Sequence, residues 1–202
     1  MKKVTTPKLS DSRKPAGTSG MRLAATASLL SLLLASGPFA HAANFQSVIQ
    51  GKSTVTFAYK QMGVVMDGKF RKFDAKVNLD TDKPQNAKGS IDIDVASIDT
   101  GSTEADEEVL SKGWFNATAF PKASFTLKAL KATGPGQYEA TGQLLIKGQT
   151  RDLSIPVNLN AQGNLTGSFV IRRGDYAIGD GMWSKYDVVG NEITVKFNLA
   201  LK

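Results

Sequence analysis

Cysteine is absent from the 202-residue chain, and histidine occurs once, at position 41. Without cysteine there is no disulfide, no thiolate nucleophile, no cysteine-ligated zinc or iron–sulfur centre and no lipid anchor through a thiol. Tryptophan occurs twice, at Trp114 and Trp183. Long apolar runs are missing too. The longest, residues 23–35, is an uncharged stretch of Leu, Ala, Ser and Thr that stops at Ser36-Gly37-Pro38. It falls short of the ~20 apolar residues that a membrane-spanning helix needs.

That stretch is best read as an address. Arg22 precedes it and Ala40-His41-Ala42 follows it. A positive start, a short apolar run and a small-x-small site together describe a secretory signal peptide, expected at residues 21–42 and cleaved after Ala42. No arginine pair precedes the run, which favours general secretion over twin-arginine export. Residues 1–20 carry Lys2, Lys3, Lys8, Arg13 and Lys14 among Ser, Thr, Pro and Gly. Such a composition forms no core. Met21-Arg22 has the form of a natural start, so residues 1–20 are expected to be an upstream extension outside the natural precursor. N-terminal sequencing of the precursor tests this, and Met1 at the terminus overturns it.

Cleavage changes the chemistry left in the chain. The whole sequence has 25 basic and 18 acidic residues and a net charge of +7, which alone suggests an anionic partner. Six bases and one acid precede Ala43, so the expected mature domain, residues 43–202, keeps 19 against 17. A charge near +2 gives no nucleic-acid footprint. The one histidine also lies in the removed part. Serine–histidine and cysteine–histidine catalysis, histidine-ligated haem and ordinary zinc sites are then excluded, and no metal or catalytic cofactor is expected.

What remains alternates with period two almost throughout. Val55, Phe57 and Tyr59 share one parity, as do Phe73, Ala75, Val77 and Leu79. So do Ile91 and Ile93, Phe125 and Leu127, and Ala140, Gly142 and Leu144. Phe169 and Ile171, then Val195, Phe197 and Leu199, complete the series. Turn chemistry separates the runs, as at Gly134-Pro135-Gly136, Gly148-Gln149-Thr150 and Gln162-Gly163-Asn164. Short strands with one apolar face and no second apolar layer predict an antiparallel sheet closed on itself. Asp67-Gly68 reads as a hairpin turn or as an in-strand glycine where backbones approach. The change of parity between Phe70 and Phe73 predicts a bulge. Residues 102–113 alone break the pattern and read as a short helix. Thr103 is its expected N-cap, and the acids in its first turns suit the helix dipole.

Several segments in register resemble one family. Ser97-Ile98-Asp99-Thr100, the helix, Trp114-Phe115-Asn116 and Phe120-Pro121-Lys122-Ala123-Ser124-Phe125 carry the strongest likeness. Met62-Gly63, Gly68, Phe70 and Phe73-Asp74 look like a second-strand motif of the same family. Gly142-Gln143-Leu144-Leu145-Ile146-Lys147-Gly148-Gln149-Thr150-Arg151 looks like its hairpin, and Asp175-Tyr176-Ala177-Ile178-Gly179 like its late motif. The family is the bacterial YceI-like proteins, lipocalin-like isoprenoid-binding proteins of the periplasm. The resemblance implies an all-β fold: an extended eight-stranded antiparallel lipocalin-like barrel with one short helix. It implies an exported carrier rather than an enzyme, with a quinone-like or polyprenyl lipid in the lumen. The chain departs from many relatives in having Gln61 and Lys52 where they have histidine.

Inward parity and this resemblance give Phe57, Tyr59, Phe70, Ile91, Ile93, Phe125, Leu144, Phe169, Ile171 and Phe197 as the expected lumen lining. Small residues among them, such as Ala75, Ala140, Gly142 and Gly167, leave room for a thin apolar chain. A filled barrel that serves as a stress-response or partner-binding module is the rival. Trp114, Phe115 and Trp183 are expected at the mouth, as a gate that touches membrane transiently or as a plug over the end. Lys60, Arg172 and Arg173 are candidate contacts for a lipid head group. The expected partner is thus an isoprenoid or other long-chain lipid, with the protein a monomer or homodimer. A rival from another class is a lipid-modifying enzyme that uses a carboxylate among Asp175, Asp180 and Asp187.

Overall fold

The computed structural model describes residues 43–202. The segments expected to be a signal peptide and an upstream extension fall outside the described residues. The strands are β1 (Asn44–Phe45), β2 (Thr54–Gln61), β3 (Val64–Phe70), β4 (Phe73–Asp80), β5 (Lys88–Asp94), β6 (Ile98–Asp99), β7 (Lys122–Gly134), β8 (Gln137–Ile146), β9 (Gln149–Leu159), β10 (Asn164–Arg172) and β11 (Glu192–Ala200). One helix, α1 (Thr103–Leu110), lies between β6 and β7. All strand pairings are antiparallel, and the sheet order is β1-β4-β5-β7-β8-β9-β10-β11-β2-β3-β6.

The sheet has eleven strands where eight were expected. Two of the extra strands, β1 and β6, have two residues each and are too short for alternation to reveal. The third comes from the break between β3 and β4. There Arg71 N–H donates to the Ser97 carbonyl at 3.0 Å, and Lys72 N–H to the Ser97 hydroxyl at 3.0 Å. The Lys72 carbonyl accepts from Asp94 N–H at 3.1 Å. These groups leave the ladder, so one long run becomes two strands that pair with different neighbours. This replaces the bulge expected between Phe70 and Phe73. Because β3 and β4 lie near opposite ends of the sheet order, the two-residue link curls the sheet, but β1 and β6 at its ends do not pair with each other, so it is a half-barrel where a closed barrel was expected.

The N-terminal segment braces the far end. Phe45 pairs with Leu79 of β4, Val48 bridges to Leu201, and Gln46 N–H donates to the Lys202 carbonyl at 3.0 Å. The β2–β3 hairpin turns at Met62-Gly63, whose φ values of 49° and 83° match the twist of a two-residue hairpin. Gly68 sits inside β3, opposite Phe57. Lys147-Gly148 makes the same kind of turn between β8 and β9.

The helix is shorter than the expected 102–113 and starts differently. Ser102, not Thr103, is its N-cap, with its hydroxyl accepting from Ala105 N–H at 3.4 Å. Thr100 ties the preceding strand to the helix, donating from N–H and hydroxyl to Asp106 Oδ1 at 2.7 Å each. The helix stops at Leu110, and Lys112 lies beyond it.

Buried side chains gather in three apolar clusters. One, with Val95, Trp114, Leu144, Ile171, Tyr176 and Ile178, lies towards α1. A second, with Leu79, Leu130, Tyr138, Ile155 and Val157, and a third, with Ala75, Leu199 and Leu201, fill the opposite end. Phe169 packs against the first two, and Phe197 against the last two.

Candidate functional site

Between these clusters lies an apolar cavity of about 530 Å³. That is within the range of small-molecule pockets. Phe57 and Tyr59 of β2, Phe70 of β3, and Ile91 and Ile93 of β5 line it. Phe125 of β7, Leu144 of β8, Phe169 and Ile171 of β10, and Phe197 of β11 complete the expected wall. All ten residues expected in the lining, from parity and the family likeness together, therefore border one space.

The space exists because three phenylalanines lie against glycines. The Phe57 ring covers Gly68, Phe125 covers Gly142, and Phe197 covers Gly167. A Cβ at any of these glycines would overlap the ring. Each ring thus lies along the wall in the place of a missing side chain. Large residues held flat beside small ones leave the centre open, where upright rings would fill it.

The α1 end is built from polar and aromatic groups. Trp114, Phe115 and Trp183 all line the cavity there, as the sequence suggested. The two indoles lie 5.4 Å apart, tilted at 57°. Both donate to one acceptor, Glu108 Oε1, at 3.1 Å from Trp114 and 3.0 Å from Trp183. Sequence reasoning assigned the helix acids to the dipole. That account fails for Glu108, which sits in the last turn, where a negative charge is disfavoured. Its role is to hold two rings from distant segments together. Glu104, Ser102 and Thr100 line the same end, as does Gln61. Gln61 continues the parity of Val55, Phe57 and Tyr59, so the alternation could have found it.

The three candidate head-group cations divide. Arg173 lines the cavity but is 1% exposed and fully committed. Its Nε donates to the Gly190 carbonyl at 3.1 Å. Nη1 donates to Ile178 and Gly179 at 2.8 and 3.1 Å, and Nη2 to Trp183 and Val189 at 2.6 and 2.8 Å. Five N–H groups meet five carbonyls, leaving no donor for a ligand. The guanidinium also lies 5.1 Å from the Trp114 ring and 4.6 Å from that of Tyr186. Burial pushes its pKa down, with Tyr186 and Asp180 acting in the opposite sense. Arg173 is a clamp on the segment between β10 and β11. Lys60 and Arg172 are exposed and lie outside the lining, because they occupy outward positions on β2 and β10. The structure therefore does not bring these three cations together as a head-group site.

Asp175, Asp180 and Asp187 are exposed and absent from the lining. Asp180 accepts from Lys147 Nζ at 3.5 Å, and the same ammonium donates to the Ala177 carbonyl. Asp187 caps its own turn through Val188 N–H at 3.0 Å. These contacts are those of loop formers.

Known proteins share this architecture. The YceI-like domain matches residues 47–201. A UPF0312 protein of Photorhabdus laumondii is 34% identical over 132 residues, 64% of this chain and 66% of that protein. This chain thus spans just under two thirds of that relative. The crystal structure of Burkholderia cenocepacia BcnA superposes with a TM-score of 0.74 at 35% identity, covering 76% of this chain and 98% of BcnA. A polyisoprenoid binding domain from Saccharophagus degradans, implicated in plant cell wall breakdown, shares the fold with a TM-score of 0.57 at 16% identity. It covers 78% of this chain and is itself covered to 97%. With its curled antiparallel sheet, its single short helix and a domain match over nearly all the described residues, the chain belongs to the YceI-like family.

Proposed function

We propose that the protein is an exported carrier that holds a long isoprenoid or similar lipid, quinone-like or polyprenyl, in the cavity, and that it acts in the periplasm. The observation that carries this reading is the open apolar space of about 530 Å³ inside a single sheet, walled by phenylalanines laid against glycines. A filled core would not keep such a volume empty. A long thin tail suits it, since each buried CH2 contributes about 0.8 kcal/mol. The fold shared with a polyisoprenoid binding domain supports the choice of ligand. The secretory pattern in residues 21–42 supports export. The exposed loop positions of Asp175, Asp180 and Asp187 favour a carrier over an enzyme that works with them.

Mass spectrometry of lipid extracted from the purified protein tests the reading. A stoichiometric long-chain lipid is expected. Protein that purifies empty and resists titration with quinones and polyprenols overturns it. A charge in the lumen gives a second test. Phe169 faces the cavity between two apolar clusters, so Phe169→Arg is expected to weaken lipid retention at least tenfold. A folded variant that retains lipid normally would remove Phe169 from the lining.

A further inference from the structure

The groups that line the α1 end differ in charge and in commitment. Glu104 and Glu108 are acids there. Asp106, on the same helix, is close enough to Tyr59 to add to the effect of burial on that hydroxyl. The one cation of that end, Arg173, has spent its N–H groups on five carbonyls. Two uncharged donors stand at successive inward positions of β2, the Tyr59 hydroxyl and the Gln61 amide. Neither is taken up by another group among the described residues. Lys76 and Lys88 also line the cavity, but further along β4 and β5, and the Lys76 side chain is 76% exposed beside Asp74 at 3.9 Å.

We infer that the site selects a lipid whose head presents uncharged oxygen acceptors, such as a carbonyl, hydroxyl or ether, and rejects one that ends in diphosphate. The inference rests on the carrier reading above and specifies its ligand. The Tyr59 O–H and the Gln61 N–H groups donate to the oxygen of a neutral head. A diphosphate in the same place brings further negative charge beside Glu104 and Glu108. Lys60, between Tyr59 and Gln61 on β2, is exposed and outward, so no uncommitted guanidinium or ammonium lines that end to offset it. Gln61, Glu104 and Glu108 are exposed at this mouth, so the discrimination comes from like charge beside the two carboxylates rather than from burial, and a neutral oxygen that accepts a hydrogen bond escapes it.

Geranylgeraniol and geranylgeranyl diphosphate share one tail and differ in the head, so they isolate the effect. Trp114 and Trp183 both stand at this end, and their emission reports binding. The alcohol is expected to bind at least about tenfold more tightly than the diphosphate. The Glu104→Gln/Glu108→Gln variant keeps an amide oxygen for the indoles. It is expected to gain affinity for the diphosphate while its affinity for the alcohol stays within twofold, which also reports that it folds. Gln61→Lys is expected to move both ligands in opposite directions, towards the diphosphate. Equal or tighter binding of the diphosphate by the unaltered protein overturns the inference and leaves the carrier reading standing. So does diphosphate binding that depends on Lys76 and Lys88, as Lys76→Gln/Lys88→Gln would show. If neither probe binds, the carrier reading falls and the inference with it.

Discussion

Single atoms decide whether this interior is open or filled. At Gly167 the Phe197 ring occupies the place of the missing Cβ, and a Cβ there would also lie 3.2 Å from Val157 Cγ1. Gly167→Val is expected to push that ring into the lumen. The overpacking costs about 1–3 kcal/mol in denaturant unfolding. Lipid capacity is expected to fall, and Phe197→Leu in the same chain is expected to restore it by removing the displaced ring. Unchanged capacity in a folded Gly167→Val protein would mean that this wall does not border the ligand. Arg173 shows the opposite economy, in which one side chain serves five carbonyls. Lysine has three donors on a flexible stem and cannot reproduce that fork. Arg173→Lys therefore leaves buried carbonyls unpaired, at about 1–3 kcal/mol for each. It is expected to lower the unfolding midpoint and to loosen Trp183, whose carbonyl is one of the five. A midpoint within experimental scatter of the unaltered protein would count against the clamp.

The same clamp shows how far sequence can be read at the level of elements. Ile178 and Gly179 stood out in a motif and Arg173 as a candidate head-group cation, yet their positions did not reveal that the arginine donates to the carbonyls of the other two. Alternation located eight of the long strands, and together with the family likeness it gave all ten lining residues; β3, with Val64 and Val65 both exposed, does not alternate cleanly. Alternation could not locate β1 and β6, which are too short to alternate, or the β3–β4 break, which is set by Ser97 some 25 residues away. The helix was visible from its lack of period two. Its cap was misplaced by one residue because Ser102 and Thr103 are chemically equivalent as caps. Glu108 was missed because its partners come from Trp114 and Trp183, the latter 75 residues on. That residue gives α1 a function beyond its own stability. Glu108→Ala removes the shared acceptor and is expected to shift tryptophan emission to the red as the indoles separate and meet water. The unfolding free energy is expected to change by less than about 1 kcal/mol, since substitutions at exposed positions cost little. Emission that stays where it was would show that packing alone holds the two rings.

At the scale of the whole molecule, the apolar interior sets the acid–base behaviour of the chain. Burial raises the pKa of Tyr59, Tyr138 and Tyr176 above the ordinary tyrosine value of 10.0. Burial is the first cause at each, with Asp106 adding to it at Tyr59. At Tyr176, Asp175 adds to it and Arg151 opposes it. The folded state therefore holds these protons more tightly than the unfolded chain. The stability they contribute is fully present below pH ~10 and is lost as pH rises through the folded values, by up to about 1.4 kcal/mol per pH unit for each hydroxyl. Ultraviolet absorbance of tyrosinate, followed against pH, is expected to rise at higher pH for the native protein than for protein in denaturant. Coincident curves would remove burial as the cause. Lipid makes the test specific, because only one of the three hydroxyls belongs to the cavity. Tyr59 lines it, whereas Tyr138 and Tyr176 are buried in the apolar clusters and are not part of the lining. A bound lipid covers Tyr59 further from water and gives its proton a second reason to stay. Loading with geranylgeraniol is expected to move one tyrosine to still higher pH and to leave the other two in place. A uniform shift of all three would mean that the lipid tightens the whole sheet, and no shift would place the head group away from β2.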